Sequence, residues 1–309
     1  MKKSEQGMTR RDFLCSALGL ILTAPAGISV LAKQLTLPKT AGEPAVKALK
    51  KSKVILVRNA EVLGQDRRIN AKVLAKMLDD AVTALTGEAE PVAAWKQIVK
   101  PTDTVGVKSN AWHFLPTPPE LEQAIKKRLL DAGVSEDRIS IDDRGVLRNP
   151  VFQKATALIN ARPLRTHDWS GVGSLIKNYI MFTPSPPRWH GDSCANLAAL
   201  WDLPQVKGKT RLNILVMLTP LFYGKGAHHF QKQYTWEYKG LLVGTDPVAC
   251  DATGVRILQA KRRAYFGKDL PFDVSPKHIR IAEEKFKLGF ADANRIELQK
   301  LGWMTDALI

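Results

Sequence analysis

Polar residues at spacings that can do chemistry gather in one stretch of this 309-residue chain, Pro163-Leu164-Arg165-Thr166-His167-Asp168-Trp169-Ser170-Gly171-Val172-Gly173-Ser174-Leu175-Ile176-Lys177-Asn178. An apolar strand feeds into it, a Gly-x-Gly turn follows, and a helix-like segment closes it. Such a turn aims several backbone N–H groups at one point, which makes a concavity for anions, and Lys177 adds a point charge beside it. The spacing is neither G-x-x-x-x-G-K-[ST] nor G-x-G-x-x-G, so nucleotide-binding signatures do not apply. A glycine turn followed by a solvated lysine is the plainer reading of the same residues. His167, and His190 further on, suit ligand contact or proton transfer, because imidazole titrates near neutral pH.

Two further sets stand apart. Lys108-Ser109-Asn110 ends an apolar strand, the place where open α/β sheets bind ligands. A lysine there needs an anionic partner if it is buried and snorkels to water if it is not. Asp251 lies among Val248, Ala249, Cys250 and Ala252. That small apolar neighbourhood implies a partly buried carboxylate with a cationic or hydroxyl partner. For metals, His190, Asp192 and Cys194 fall within five positions of one another, and His228-His229 follow a glycine-rich loop. No HExxH or repeated Cys/His pair accompanies them, and Asp192 is more simply the N-cap of a helix from Ser193 to Leu200. There is no G-x-S-x-G elbow.

These residues need a scaffold, and the apolar pattern supplies one. Continuous apolar runs at 53–58, 103–108, 139–142, 157–160, 212–218 and 240–244 read as strands covered on both faces. Helices alternate with them: Asn70 caps one that runs to Thr86 and stops at Gly87, and Pro118-Pro119 opens a second that closes at Gly133. Asp246-Pro247 starts a third that reaches Ala260, and a last one spans 276–287. The fold class expected is α/β, a mixed or mostly parallel sheet with helices on both faces, in a single domain over 53–309. The edge shared by parallel strands would then bring Lys108, the Thr166–Asn178 segment and Asp251 to one crevice.

Residues 1–32 read as an export signal, and 33–52 as a linker. Thr9-Arg10-Arg11-Asp12-Phe13-Leu14 has the form of a twin-arginine motif, followed by an apolar run and small-residue cleavage sites near Ala26 and Ala32. A periplasmic or otherwise exported protein is therefore expected, with the twin-arginine export machinery as a partner. An uncleaved anchor is the competing reading. Lys+Arg exceed Asp+Glu by 46 to 30, a net charge of +16. Outside the cytoplasm such a chain rarely meets nucleic acid, so an acidic redox protein, a polyanionic glycan or an anionic membrane surface is the better large partner. Three cysteines exclude a disulfide-stapled scaffold and a four-thiolate iron–sulfur cluster held by this chain alone, and the lack of Cys-x-x-Cys-His excludes covalent haem.

The run from Ala157 to His167, the Gly171…Lys177-Asn178 stretch and Leu242–Asp251 together resemble the DUF362 family, a domain of unknown function. Lys108-x-Asn110 and His278-Ile279…Ala282-Glu283-Glu284…Leu288-Gly289 fit its early and closing motifs, so the resemblance extends from about Val54 to Leu298. Many relatives carry a Cys-rich ferredoxin-like segment and are described as iron–sulfur or oxidoreductase proteins; this chain lacks that segment. It also has Arg165 where the family usually has Lys, which keeps the charge but removes a proton-transfer group. The resemblance raises Lys108, Asn110, His167, Lys177 and Asn178 as site residues. Two functions follow from the sequence. One is an exported enzyme, an oxidoreductase or another cofactor-dependent type, that binds a small anionic ligand through those residues, with Arg165, Thr166, Gly171, Gly173 and Asp251 beside them. The other is a non-catalytic basic protein that docks on an acidic surface.

Overall fold

The computed structural model describes residues 50–226 and 228–309. The segment read as an export signal, and all but the end of the expected linker, lie outside the described residues. Eight strands form one sheet: β1 (Ser52–Arg58), β2 (Val105–Lys108), β3 (Ile139–Asp142), β4 (Ala157–His167), β5 (Gly171–Gly173), β6 (Thr210–Leu221), β7 (Gly240–Gly244) and β8 (Ile296–Gly302). Their order is β3-β2-β4-β6-β7-β1-β8, with β5 paired to β4. The sheet is mostly parallel; β7 and β5 alone run against their neighbours.

Both faces are covered, as the near-continuous apolar strands require. On one face Ile55, Ile159, Ile214 and Val243 pack against α1 (Ala71–Thr86), α2 (Pro91–Ile98) and α3 (Pro119–Asp131). The side chain of Asn70 accepts the Val73 N–H, and Gly87 ends α1 in the left-handed conformation (φ 82°), as the sequence implies. On the other face Val54, Leu158, Leu215 and Leu242 meet α4 (Leu175–Asn178), α5 (Pro247–Phe266) and α6 (Lys277–Glu284). Among the described residues no helix is long and apolar enough to cross a membrane.

The elements depart from the expected ones in several places: α2, β5 and β8 have no counterpart among those, and α5 runs on to Phe266 rather than ending at Ala260. β4 runs on to His167 rather than stopping at Asn160, because its polar side chains are buried among partners from neighbouring segments. The helix expected at Ser193–Leu200 does not form. Asp192, Ser193 and Cys194 adopt positive φ of 48°, 54° and 63°, and a 3-10 turn follows at Leu197–Asp202. Asp192 therefore caps nothing, and its carboxylate pairs with Lys277. The last helix stops at Glu284.

Candidate functional site

The site arises from unequal strand lengths. β2 ends at Lys108, which is in register with Asn160, while β4 continues through Arg162, Arg165, Thr166 and His167. β5 takes up the vacated pairing with Arg165–His167. Lys108, Asn160 and Asn213 stand in one row across β2, β4 and β6, so their side chains share a face.

Above that row sits Asn178. Its amide donates to Asn160 Oδ1 (2.9 Å) and to the Lys108 carbonyl (3.1 Å). Asn160 donates in turn to Asn213 Oδ1 and to the Leu175 carbonyl, both at 3.1 Å, and Asn213 donates to the Thr245 carbonyl. Lys108 Nζ closes the chain, donating to Asp143 Oδ1 at 2.5 Å and to the Ser109 carbonyl at 2.7 Å, with Asn178 Oδ1 at 3.4 Å. Lys108 and Asn178 thus meet as expected. Burial pulls the Lys108 amine down to about 8 in spite of Asp143. Burial works upward on the Asp143 carboxyl, but Lys108 overcomes it and holds the group below its usual range.

The glycine turn is not a free amide concavity. Gly171 and Gly173 are spent in the ladder with β4. The next amides, Leu175 N–H and Ile176 N–H, both donate to Asp251 at 2.9 Å, and Ser174 Oγ donates to it at 2.7 Å. The chain's own carboxylate occupies the anion position the sequence suggested, and Asp251 supports the segment instead of gripping a cation. Burial raises its carboxyl to about 6 against those three bonds. It arrives there by a different route from the one expected. β7 is antiparallel, so Asp246 lies at the opposite edge, and α5 runs back across the face to deliver Asp251. Gly173 has another use: a Cβ there would stand 2.9 Å from Arg162 Nη2.

What the face does hold is positive charge. Arg162, Arg165 and Lys177 are all buried, and among the described residues none has an ion-pair partner. Arg165 donates to Asn110 Oδ1 (3.1 Å) and stacks on Trp112 with its guanidinium carbon 4.3 Å from the ring centre. Lys177 Nζ reaches only Cys194 Sγ, 3.6 Å away. Burial lowers Lys177 to about 8 and Arg162 to about 10, and pulls Arg165 well down with Arg162 adding to the effect. His167 is pushed far below its ordinary value by burial and by Lys177, and is neutral. Its Nδ1 lies 3.2 Å from the Trp169 N–H and 3.1 Å from Asp168 Oδ1. His190 is lowered to about 4 by burial and Lys177; its ring stands 6.4 Å from His167 and 4.3 Å from Trp169.

Buried polar atoms without partners concentrate here. Among the described residues Arg162 Nε, Arg165 Nε, Thr166 Oγ1 and both ring nitrogens of His278 have none. His278, on α6, is fully buried, and its ring is lowered to about 3 by burial, with Lys177 and Arg162 adding to the effect. A small cavity of about 90 Å³ opens against Thr166, His167 and Asp168, with Lys225, Arg262 and Asp273 across it.

His190, Asp192 and Cys194 do not make a metal centre. The left-handed turn sends Asp192 to Lys277 and Cys194 to Lys177, and among the described residues no group of three or more possible ligands is gathered. Cys194 and Cys250 are both free. Sequence reasoning missed Arg162, Asp143, Asn160, Asn213 and His278. Asn160 and Arg162 alternate with Ile159, Ala161 and Pro163 along β4, the sign of polar groups set into a buried strand. Nothing local marked Asp143 or His278.

Residues 128–256 match the profile of a family described as Domain of unknown function (DUF362). The match takes in Asp143, β4, β5, Lys177 and Asp251, while Lys108, Asn110 and His278 fall outside it. No curated protein matches the chain, and no solved structure does.

Proposed function

Starting from a chain that belongs, over residues 128–256, to the DUF362 family, we propose that it is an exported enzyme whose substrate or cofactor presents a small oxyanion to Arg162, Arg165, Lys177 and His278. The observation that carries this reading is the gathering of unpartnered buried polar groups around the carboxyl half of β4, with His278 beside them. Leaving such groups without partners costs roughly 1–3 kcal/mol each, more when they are charged. A carboxylate or phosphate would give the guanidinium groups charge-assisted acceptors and offset the buried charge. Lys177, with its amine near 8, is the group suited to take or give a proton at Nζ. His167 adds a neutral imidazole, with the His190 ring 6.4 Å from it. The Arg10-Arg11 motif supports an exported location.

Titration calorimetry with inorganic phosphate, sulfate and oxalate at fixed ionic strength tests the site. One saturable site is expected, weakened at least tenfold by Arg162→Gln and by Lys177→Met. Affinity should fall as pH rises through about 8, because Lys177 then loses its proton. Binding that ignores both variants and falls only with added salt would favour the docking protein instead.

A further inference from the structure

A larger opening lies on the opposite face of the sheet. A groove of about 640 Å³ runs beside the carboxyl ends of β4 and β6, under the loops at 63–69 and 113–120. That size falls in the range of roughly 300–1,000 Å³ usual for small-molecule sites. Ile69, Val216 and Leu218 give it an apolar floor. Phe114 forms a wall, 46% exposed and stacked on Phe230 with ring centres 4.8 Å apart. A large apolar ring left half in water over an apolar floor is a feature that binding sites share.

Charge is arranged around the rim. Arg67, Arg68 and Lys232 line the groove against one carboxylate, Glu120. Arg67 is held by Glu237 and Thr235, and Arg68 pairs with the exposed Asp66. Lys232 has no ion-pair partner among the described residues. Glu120 keeps Oε2 buried with no hydrogen bond, an acceptor facing no donor of the protein.

We propose that this groove is a second binding site, for an organic acid with a ring-bearing apolar body and an N–H or O–H donor. The body lies on Val216 and Leu218 against Phe114. Its acid group meets Arg68 and Lys232, and its donor meets Glu120. The groove opens on the other side of the sheet and none of Arg162, Arg165, Lys177 and His278 lines it; Trp112, stacked on Arg165 and edge-on to Phe114 and Phe230, stands between the two.

Two fluorescent probes test it on the full chain: 8-anilinonaphthalene-1-sulfonate, and its uncharged counterpart N-phenyl-1-naphthylamine. Both should bind saturably at one site, the sulfonate more tightly. The double variant Arg68→Glu/Lys232→Glu should weaken the sulfonate by about tenfold, the scale of one or two exposed charge pairs, and leave the neutral probe unchanged. Phe114→Ala should weaken both probes, and Lys177→Met should affect neither. A sulfonate affinity unmoved by the charge reversal overturns the proposal. So does binding unmoved by Phe114→Ala, or binding lost in Lys177→Met, which would move the probe to the cluster on the other face.

Discussion

Lys177 opposes the fold that contains it. Its amine is buried beside Arg162 and Arg165 with a thiol as its nearest partner, so the charged form is penalised. Replacing buried ion pairs by well-packed apolar chains of similar size is often neutral or stabilising by about 1–4 kcal/mol, and a buried charge without a partner has less to lose. Lys177→Met is therefore expected to raise the unfolding free energy at pH 7 by about 1–2 kcal/mol while abolishing oxyanion binding. The sign with pH is fixed by the direction of the shift. The folded amine titrates near 8 and the unfolded one at 10.5, so between those values the unfolded chain holds more protons. Wild-type stability should then climb from pH 8 towards pH 10 relative to Lys177→Met, and urea melts at three pH values would show it. A flat difference between the two proteins would mean that Lys177 is solvated. At this scale the sequence was legible wherever a polar residue interrupted an apolar run, as at Lys108, His167 and Asp251. His278 was not, since a histidine one turn into an amphipathic helix carries no mark of what that helix will cover.

Among the elements, α4 is the one that depends most on a distant residue. Its four residues are too few to hold themselves, and Asp251 of α5 takes up both amides at its start together with the Ser174 hydroxyl. Asp251→Ala leaves those three donors buried and unpaired, so a loss of about 3 kcal/mol is expected by urea denaturation. With the staple gone, Lys177 and Asn178 lose their position, and oxyanion binding should fall together with stability. A variant that melts like the wild type would show that α4 is held by packing alone. The Gly-x-Gly turn announced itself in the sequence, but the occupant of its amides did not. The strand preceding Asp246 offers the same lesson. Its apolar residues established that β7 exists, while its direction depends on which neighbour it joins, and pairing with β6 reverses it. The helix expected after Asp192 failed for a related reason. Capping preference is a local signal, and here the pairing of Asp192 with Lys277 and the seat of Cys194 beside Lys177 accompany three successive left-handed residues.

At the scale of the whole molecule, the α/β class followed from apolar runs too uniform to be half-exposed strands, alternating with amphipathic helices. The excess of Lys and Arg bears on partners and location, not on that class. For location, Arg10→Lys with Arg11→Lys is expected to leave the protein in the cytoplasm with its leader uncut, as fractionation and the mass of the N-terminal peptide would report. Normal export of the double variant would point to the general secretory route.

The position of β1 has a consequence for biosynthesis. It lies between β7 and β8, so the earliest strand has both of its neighbours near the far end of the chain. On the ribosome, β3, β2, β4 and β6 can assemble in turn, but β1 has nothing to join until Gly240–Gly244 and Ile296–Gly302 have emerged. Until then one edge of β6 and both edges of β1 stay open, and open edges invite pairing between nascent chains. Closure must therefore wait until synthesis is nearly complete, and the long sequence separation of the pairing makes it slow. A holding factor that shields β1 during that interval would decide how much of the protein matures rather than aggregates.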